Sequence, residues 1–421
     1  MNAGSSTLSE WQGVTTRAVE AGERPYPSGE TFLPVVIEAK RFRDVRTLRE
    51  FLVTHSRALK ETMYEHGAIL LRGFDVQRDE DFEGIVTSFD AAQPMCGYFM
   101  SEAGRDKIAG TRAVFNTNSF YKTGGGLHLG GFHSENFYST DVPAVQSFWC
   151  KEPPSLGGET ALVQSTHMYA ELPDALKRKL EGERVLAGTL PLSIIAGRYQ
   201  LPVDTVKAFC LEAGLEMTGD SVLVHKPAVY KHSHTGRLAL QINFSSEIKG
   251  LDAALRRLIA PSYRGLQWAL PRLGWRYPAV AALLPALDSW RLALQVLVGG
   301  VAAVASRMFG KRATANGLAP SSGRIAERLT PEDVETLAAA IWRHTSVFTW
   351  KKDDVLIFDN LQLLHAGMPG RGRREIRVMM CDPIRMDLPL ASGLFEAPKT
   401  NPAYESMGTR LERLAEASPA Q

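Results

Sequence analysis

Along residues 46–65, "RTLREFLVTHSRALKETMYE", the apolar side chains Leu48, Phe51, Leu52, Leu59 and Met63 recur at helical spacing. One apolar stripe on a polar cylinder predicts an amphipathic helix that packs on a core. The period then shortens. "GAILLRGFDV" reads as a strand leaving a glycine turn. "AVQSFWCKEP" (144–153) and "ETALVQS" (159–165) read as short apolar strands, and the Pro153-Pro154 and Gly157-Gly158 punctuation between them predicts a hairpin-like pair. A helix is expected from about Met168 to Leu180. "SVLVHKPAVYKHSHTGRLALQINF" predicts strands joined by a turn at His234-Thr235-Gly236. Thr330 as N-cap with Pro331 in the first helical position opens a helix to about Trp342. "TSVFTWKKDDVLIFDNLQLLHAGM" reads as another strand pair, and "REIRVMMCDP" as a final strand.

Short strands thus lie on both sides of a helix-rich middle at about 250–328. The pattern predicts an α+β fold whose strands form a sandwich, barrel or jelly roll. Residues 1–30 are polar and rich in Gly, Ser and Pro, and are expected to be a flexible arm. The rest reads as a single domain over 31–400, followed by a C-terminal helix or tail at 401–421.

Composition narrows the class. The chain has 421 residues, 44% hydrophobic and 22% charged, with a net charge of +2. Such balance offers no field to gather nucleic acid. The cysteines Cys96, Cys150, Cys210 and Cys381 form no CxxC pair, so they are expected to be reduced and buried in a cytoplasmic protein. The apolar run 292–309 is interrupted by Gly299-Gly300 and carries Gln295 and Arg307, which favours a buried or interface helix over a membrane span.

The candidate chemistry sits in "LHLGGFHSENFYS". In extended chain, residues two apart share a face, so His133 and Glu135 would converge on one point. Alone, H-x-E more often marks a polar pair at a strand edge. His365, before a Gly-Met-Pro-Gly turn, supplies a third donor. Two imidazoles and a carboxylate leave metal positions open, which favours non-heme Fe(II) chemistry over a closed structural zinc site. The arginines of "GRGRREIRV" would be a solvated edge in isolation; beside a metal, one of Arg373, Arg374 or Arg377 could clamp a carboxylate bidentately.

"GGFHSENFYS", "PPSLGGETALVQS", "DDVLIFDNLQLLHAG" and "GRREIRV" together resemble the taurine-dioxygenase-like enzymes, nearest the clavaminate-synthase-like and syringomycin-pathway hydroxylases. The resemblance covers most of 30–250 and 325–385. It implies a double-stranded β-helix (jelly-roll) core flanked by helices, with the 250–328 segment as a helical insertion. It implies an Fe(II)- and 2-oxoglutarate-dependent dioxygenase, using O2, with His133, Glu135 and His365 as iron ligands. Thr160 stands where the family holds the far carboxylate of 2-oxoglutarate. Arg374 stands where the family places the matching arginine, with Arg377 as the competing register. Related halogenases keep the carboxylate position small; Glu135 fills it, which argues against chlorination and leaves hydroxylation, the usual outcome, beside desaturation, epoxidation or cyclisation.

The expected substrate is a small molecule, an amino acid or a carrier-tethered relative, in natural-product biosynthesis. Asn116, Asn118 and His128 are candidate substrate contacts, each against a plain turn, cap or loop role. The insertion at 260–325 is expected to form a lid, a homo-oligomer surface or a carrier-protein docking face. His232 and His234 read as a surface hairpin with no carboxylate partner. Asp359 and Asn360 read as a turn or as support for His365, and Trp149 and Trp350 as core. A zinc-dependent hydrolase and an inactive binding protein of the same fold are the rival readings.

Overall fold

The computed structural model describes residues 11, 13–26, 29–30, 32–95, 106–117, 131–181, 184–240, 248–277, 280, 323–387 and 394–417. Asn118, His128, Cys96, the 292–309 run and most of the insertion lie outside these residues. Among the described residues, no helix is long and apolar enough to cross a membrane.

Seven strands form the main sheet, in the order Val14–Arg17, Val35–Ala39, Ala68–Arg72, Val355–Asp359, Asp141–Glu152, Glu375–Arg385 and Val114–Asn116. All neighbours are antiparallel except Val35–Ala39 with Ala68–Arg72. A second sheet places Thr160–Gln164 between Thr345–Phe348 and Leu363–Gly367, both antiparallel. The segment expected to be a loose arm therefore contributes an edge strand at its 14–17 end.

The expected pair of 144–153 and 159–165 does not form. Asp141–Glu152 joins the main sheet and Thr160–Gln164 joins the second. The first ten residues of Asp141–Glu152 are all buried, so no polar-apolar alternation announces which neighbour it takes. Likewise "TSVFTWKKDDVLIFDNLQLLHAGM" gives three strands, and they alternate between the two sheets. The Gly157-Gly158 turn docks instead on the end of the chain after His365. Gly157 sits at φ +61°, and a Cβ there would lie 2.2 Å from the Pro369 carbonyl oxygen, so glycine is required.

Two large apolar clusters flank the second sheet. Leu48, Leu52, Leu59, Met63, Phe82 and Ile85 pack on the main sheet, and Leu162 and Leu363 join that cluster. Ala161, Val163, Leu364 and Ala366 face the other way, among the helical residues Leu176, Val206, Leu255, Leu337 and Ile341. The second sheet is thus buried on both faces, with one face turned toward the main sheet. The predicted helix at 46–65 is two helices, Val45–Thr54 and Ser56–His66, breaking at His55. The one expected near 168–180 is also two, Ser165–Glu171 and Asp174–Leu180, separated by Pro173. Pro331–Arg343 begins as expected, with Thr330 and Asp333 forming a capping box.

Candidate active site

His365 lies on the same strand face as Leu363, the face that looks toward the main sheet. Its ring is wedged edge-on between Phe148 and Phe358, each 5.4 Å away between centroids. His133 pairs with it through two reciprocal backbone bonds: His133 N–H donates to the His365 carbonyl at 3.0 Å, and His365 N–H to the His133 carbonyl at 2.9 Å. Residues directly opposite in an antiparallel pair project to the same side. The two imidazoles therefore stand 4.3 Å apart between centroids. Glu135 is not in extended chain, contrary to expectation. It opens a turn, followed by Asn136 at φ +59°, and this swings its carboxylate to 3.7 Å from His365 Nε2. One donor atom from each of the three residues lies within 4.8 Å of the others.

The protons are also arranged. His133 Nδ1 lies 2.7 Å from the Gly131 carbonyl, a bond that needs the hydrogen on Nδ1 and leaves Nε2 with a lone pair. Two imidazoles and one carboxylate, with no thiolate, suit a ferrous ion that keeps exchangeable positions open.

A second layer, partly missed in the sequence, fixes this geometry. Asn360 Oδ1 accepts from the Glu135 amide at 2.8 Å, and its Nδ2 donates to the carbonyls of Glu135 and Pro143. Asp359 accepts from Leu361 N–H and Gln362 Nε2, which pins the turn carrying Asn360. Asp359 also accepts at 2.9 Å from His232 Nε2. The surface-hairpin reading of His232 is therefore wrong. The residue is fully buried, its Nδ1 accepts from the amides of His234 and Thr235, and a carboxylate is its partner. The visible signal was a histidine ahead of a Thr-Gly turn; the carboxylate lies more than a hundred residues away. His232→Ala is expected to cost about 1–3 kcal/mol of stability, because Asp359 and two amides lose their partner inside the core. Metal stoichiometry should be unchanged. Denaturant titration with metal analysis checks both.

The candidate anchors for a diacid lie one strand over. Thr160 is the register partner of Gly367 and shares the inward face with Leu162. Its Oγ1 accepts from the indole Nε1 of Trp350 at 3.1 Å, which leaves the hydroxyl proton to be donated elsewhere. Trp350 is buried as expected, yet it also positions Thr160. Arg374 reaches the same place: its Nη1 lies 3.9 Å from where a Cβ on Gly367 would stand. Burial brings its pKa down to about 10, which still leaves a cation at neutral pH. Glu159, buried beside it, is raised to about 7 by desolvation, with Arg374 pulling the other way.

Arg377 and Asn116 are engaged elsewhere. Arg377 bonds to Asp79 and Glu375 at 2.5 Å each and donates to Asn116 Oδ1 at 2.7 Å. Arg373 is exposed and pairs with Glu152 and Glu375.

The chain is similar to proteins already known. The model of the taurine catabolism dioxygenase TauD, TfdA family matches residues 30–266, more than half of the chain. The dapdiamide synthesis protein DdaC of Enterobacter agglomerans is 23% identical over 373 residues, covering 86% of this chain and 94% of DdaC. A clavaminate synthase-like protein of Arabidopsis thaliana is 30% identical over 121 residues, 29% of this chain and 34% of that protein. The crystal structure of a taurine dioxygenase from Burkholderia xenovorans superposes with a TM-score of 0.47 at 12% identity, covering 97% of this chain and 100% of the other. The match over 30–266 takes in His133, Glu135 and Thr160, and the protein belongs to the TauD/TfdA family of non-heme dioxygenases that depend on Fe(II), 2-oxoglutarate and O2.

Proposed function

We propose that His133, Glu135 and His365 hold the ferrous ion, and that Thr160 and Arg374 anchor the far carboxylate of 2-oxoglutarate while a small-molecule substrate is hydroxylated. The observation that carries the reading is the reciprocal backbone pair of His133 and His365, with the Glu135 carboxylate 3.7 Å from His365. Bound iron, 2-oxoglutarate and O2 would supply the oxidation of an unactivated C–H bond, with succinate and CO2 as coproducts. The chain's own residues would do the rest. Gly131 keeps the His133 proton off the ligand nitrogen, Asn360 holds the Glu135 backbone, and Phe148 and Phe358 keep water from the His365 ring. Thr160 would give its hydroxyl proton to the diacid, and Arg374 its charge. Because Arg377 is spent on Asp79, Glu375 and Asn116, we assign the anchor to Arg374 and give Asn116 no substrate role.

We also read the two sheets as the halves of a jelly roll within one oxygenase domain, because consecutive strands cross from one sheet to the other. We propose an amino acid, free or carrier-tethered, as substrate. Kinship with a dapdiamide synthesis protein supports that class. The described cysteines Cys150, Cys210 and Cys381 are free and buried, which suits a cytoplasmic setting.

Anaerobic addition of Fe(II) and 2-oxoglutarate should produce a weak visible charge-transfer band. A hydrolytic zinc enzyme or an inactive protein of this fold would give none. Arg374→Leu should weaken 2-oxoglutarate binding by roughly 100-fold or more, the scale of stranding one partner of a buried ion pair. Arg377→Leu should instead lower stability and leave the affinity of the folded protein alone. The opposite pattern would move the anchor to Arg377. Succinate release across a panel of free and carrier-bound amino acids then tests the substrate class.

A further inference from the structure

Among the described residues, one other group of imidazoles and carboxylates converges: Glu30, just before the main-sheet strand Val35–Ala39; His167, on Ser165–Glu171; and His344, at the end of Pro331–Arg343. One donor atom from each lies within 4.8 Å of the others. Glu30 Oε1 faces two ring nitrogens at once, His344 Nδ1 at 3.1 Å and His167 Nδ1 at 3.4 Å. A tetrahedral ion with bonds of about 2.0–2.1 Å to nitrogen and oxygen would separate its donors by about 3.3–3.4 Å. The two spacings bracket that edge.

Proton counting points the same way. His344 Nε2 lies 2.5 Å from Glu171 Oε2, so both ring nitrogens of His344 face carboxylates. A neutral imidazole has one N–H and can satisfy only one of them. His167 Nε2 receives the guanidinium of Arg237 at 3.3 Å and must be an acceptor there, which turns its positive side toward Glu30 as well. Without a metal, the contacts of both Nδ1 atoms with Glu30 Oε1 each need a proton. A single divalent ion replaces both protons. His344 then donates from Nε2 to Glu171, the carboxylate–histidine–metal relay that orients a ligand imidazole. Glu30 is held in place for the role, its carbonyl accepting from Arg24 Nη1 at 2.7 Å.

We propose that Glu30, His167 and His344 form a second divalent-metal site, of the zinc class, that ties the N-terminal segment to the helical side of the protein. Imidazole with carboxylate is a donor set for zinc and its late first-row neighbours. The three residues are partly exposed, so an ion can enter from solvent. The site is separate from the oxygenase triad and shares no residue with it.

Metal analysis of the full-length protein, stripped with chelator and dialysed against Zn2+, tests the proposal. Wild type should retain two zinc ions per chain, His167→Ala one, and His365→Ala one. The His167→Ala/His365→Ala double variant should retain none. Zn2+ should raise the melting temperature of His365→Ala but not of the double variant. Glu171→Gln, which keeps all three ligands, should weaken the second site by about 10–100-fold. His167 is the most exposed ligand, so its variant is the one best placed to fold. One zinc per chain in the wild type, or two in His167→Ala, would overturn the proposal.

Discussion

His365→Ala is expected to remove the charge-transfer band and turnover together, with the fold intact. The substitution keeps the backbone, and with it the two bonds to His133 and the register against Leu162. It deletes one of three candidate ligands and leaves His133 and Glu135 too few to hold a ferrous ion. An outer partner of a ligand alone is worth about 10–100-fold in metal affinity, so a direct ligand should cost at least ~100-fold. Iron titration followed by the 2-oxoglutarate spectrum measures this. A variant that binds iron within a few-fold of wild type, and still shows the band, would remove His365 from the site.

The largest stability loss away from the site is expected at Arg72. Its guanidinium is almost completely buried at the end of Ala68–Arg72. It bonds bidentately to Asp354 at 2.9 and 2.6 Å, to Glu23 at 2.6 Å and to the Thr349 carbonyl at 3.0 Å. Arg72→Met would keep the volume and strand Asp354, which is fully buried; Glu23 would keep Arg17 and Lys351. Breaking a buried pair by removing one partner costs about 3–5 kcal/mol. The double variant Arg72→Met/Asp354→Leu should recover part of that, since no buried charge is then left alone. Denaturant midpoints for the cycle check the coupling. An Arg72→Met variant within about 0.5 kcal/mol of wild type would show that water reaches the cluster.

The Arg72 network was invisible in the sequence because its members are local in no sense. Glu23 sits in what reads as a flexible arm, and Asp354 within the stretch that reads only as a strand pair. The same blindness affected His232, whose partner Asp359 is brought in by a different pair of strands. By contrast, the helix beginning at Thr330 was legible, because its cap, its proline and its first-turn acids act within four residues of one another. The Gly157-Gly158 turn was legible as a turn, but not as a dock for Pro369.

Residue types and local spacing were enough to propose the donor chemistry of the site, two histidines and a glutamate with arginines entering a strand; the Gly-Gly-Glu-Thr turn gained its role only from the family resemblance. They were also enough to separate helix-rich from strand-rich stretches, since periodicity is a property of neighbours in the chain. Partnership was beyond their reach. Asp141–Glu152 is buried on both faces over its first ten residues and carries no alternation there, so only packing assigns it to Val355–Asp359 and Glu375–Arg385. Folding set His133 opposite His365, turned Glu135 back toward them, and occupied Arg377 with Asp79 while bringing Arg374 alongside Gly367. Each of those outcomes depends on contacts across long stretches of chain, and such contacts leave no mark on the local pattern.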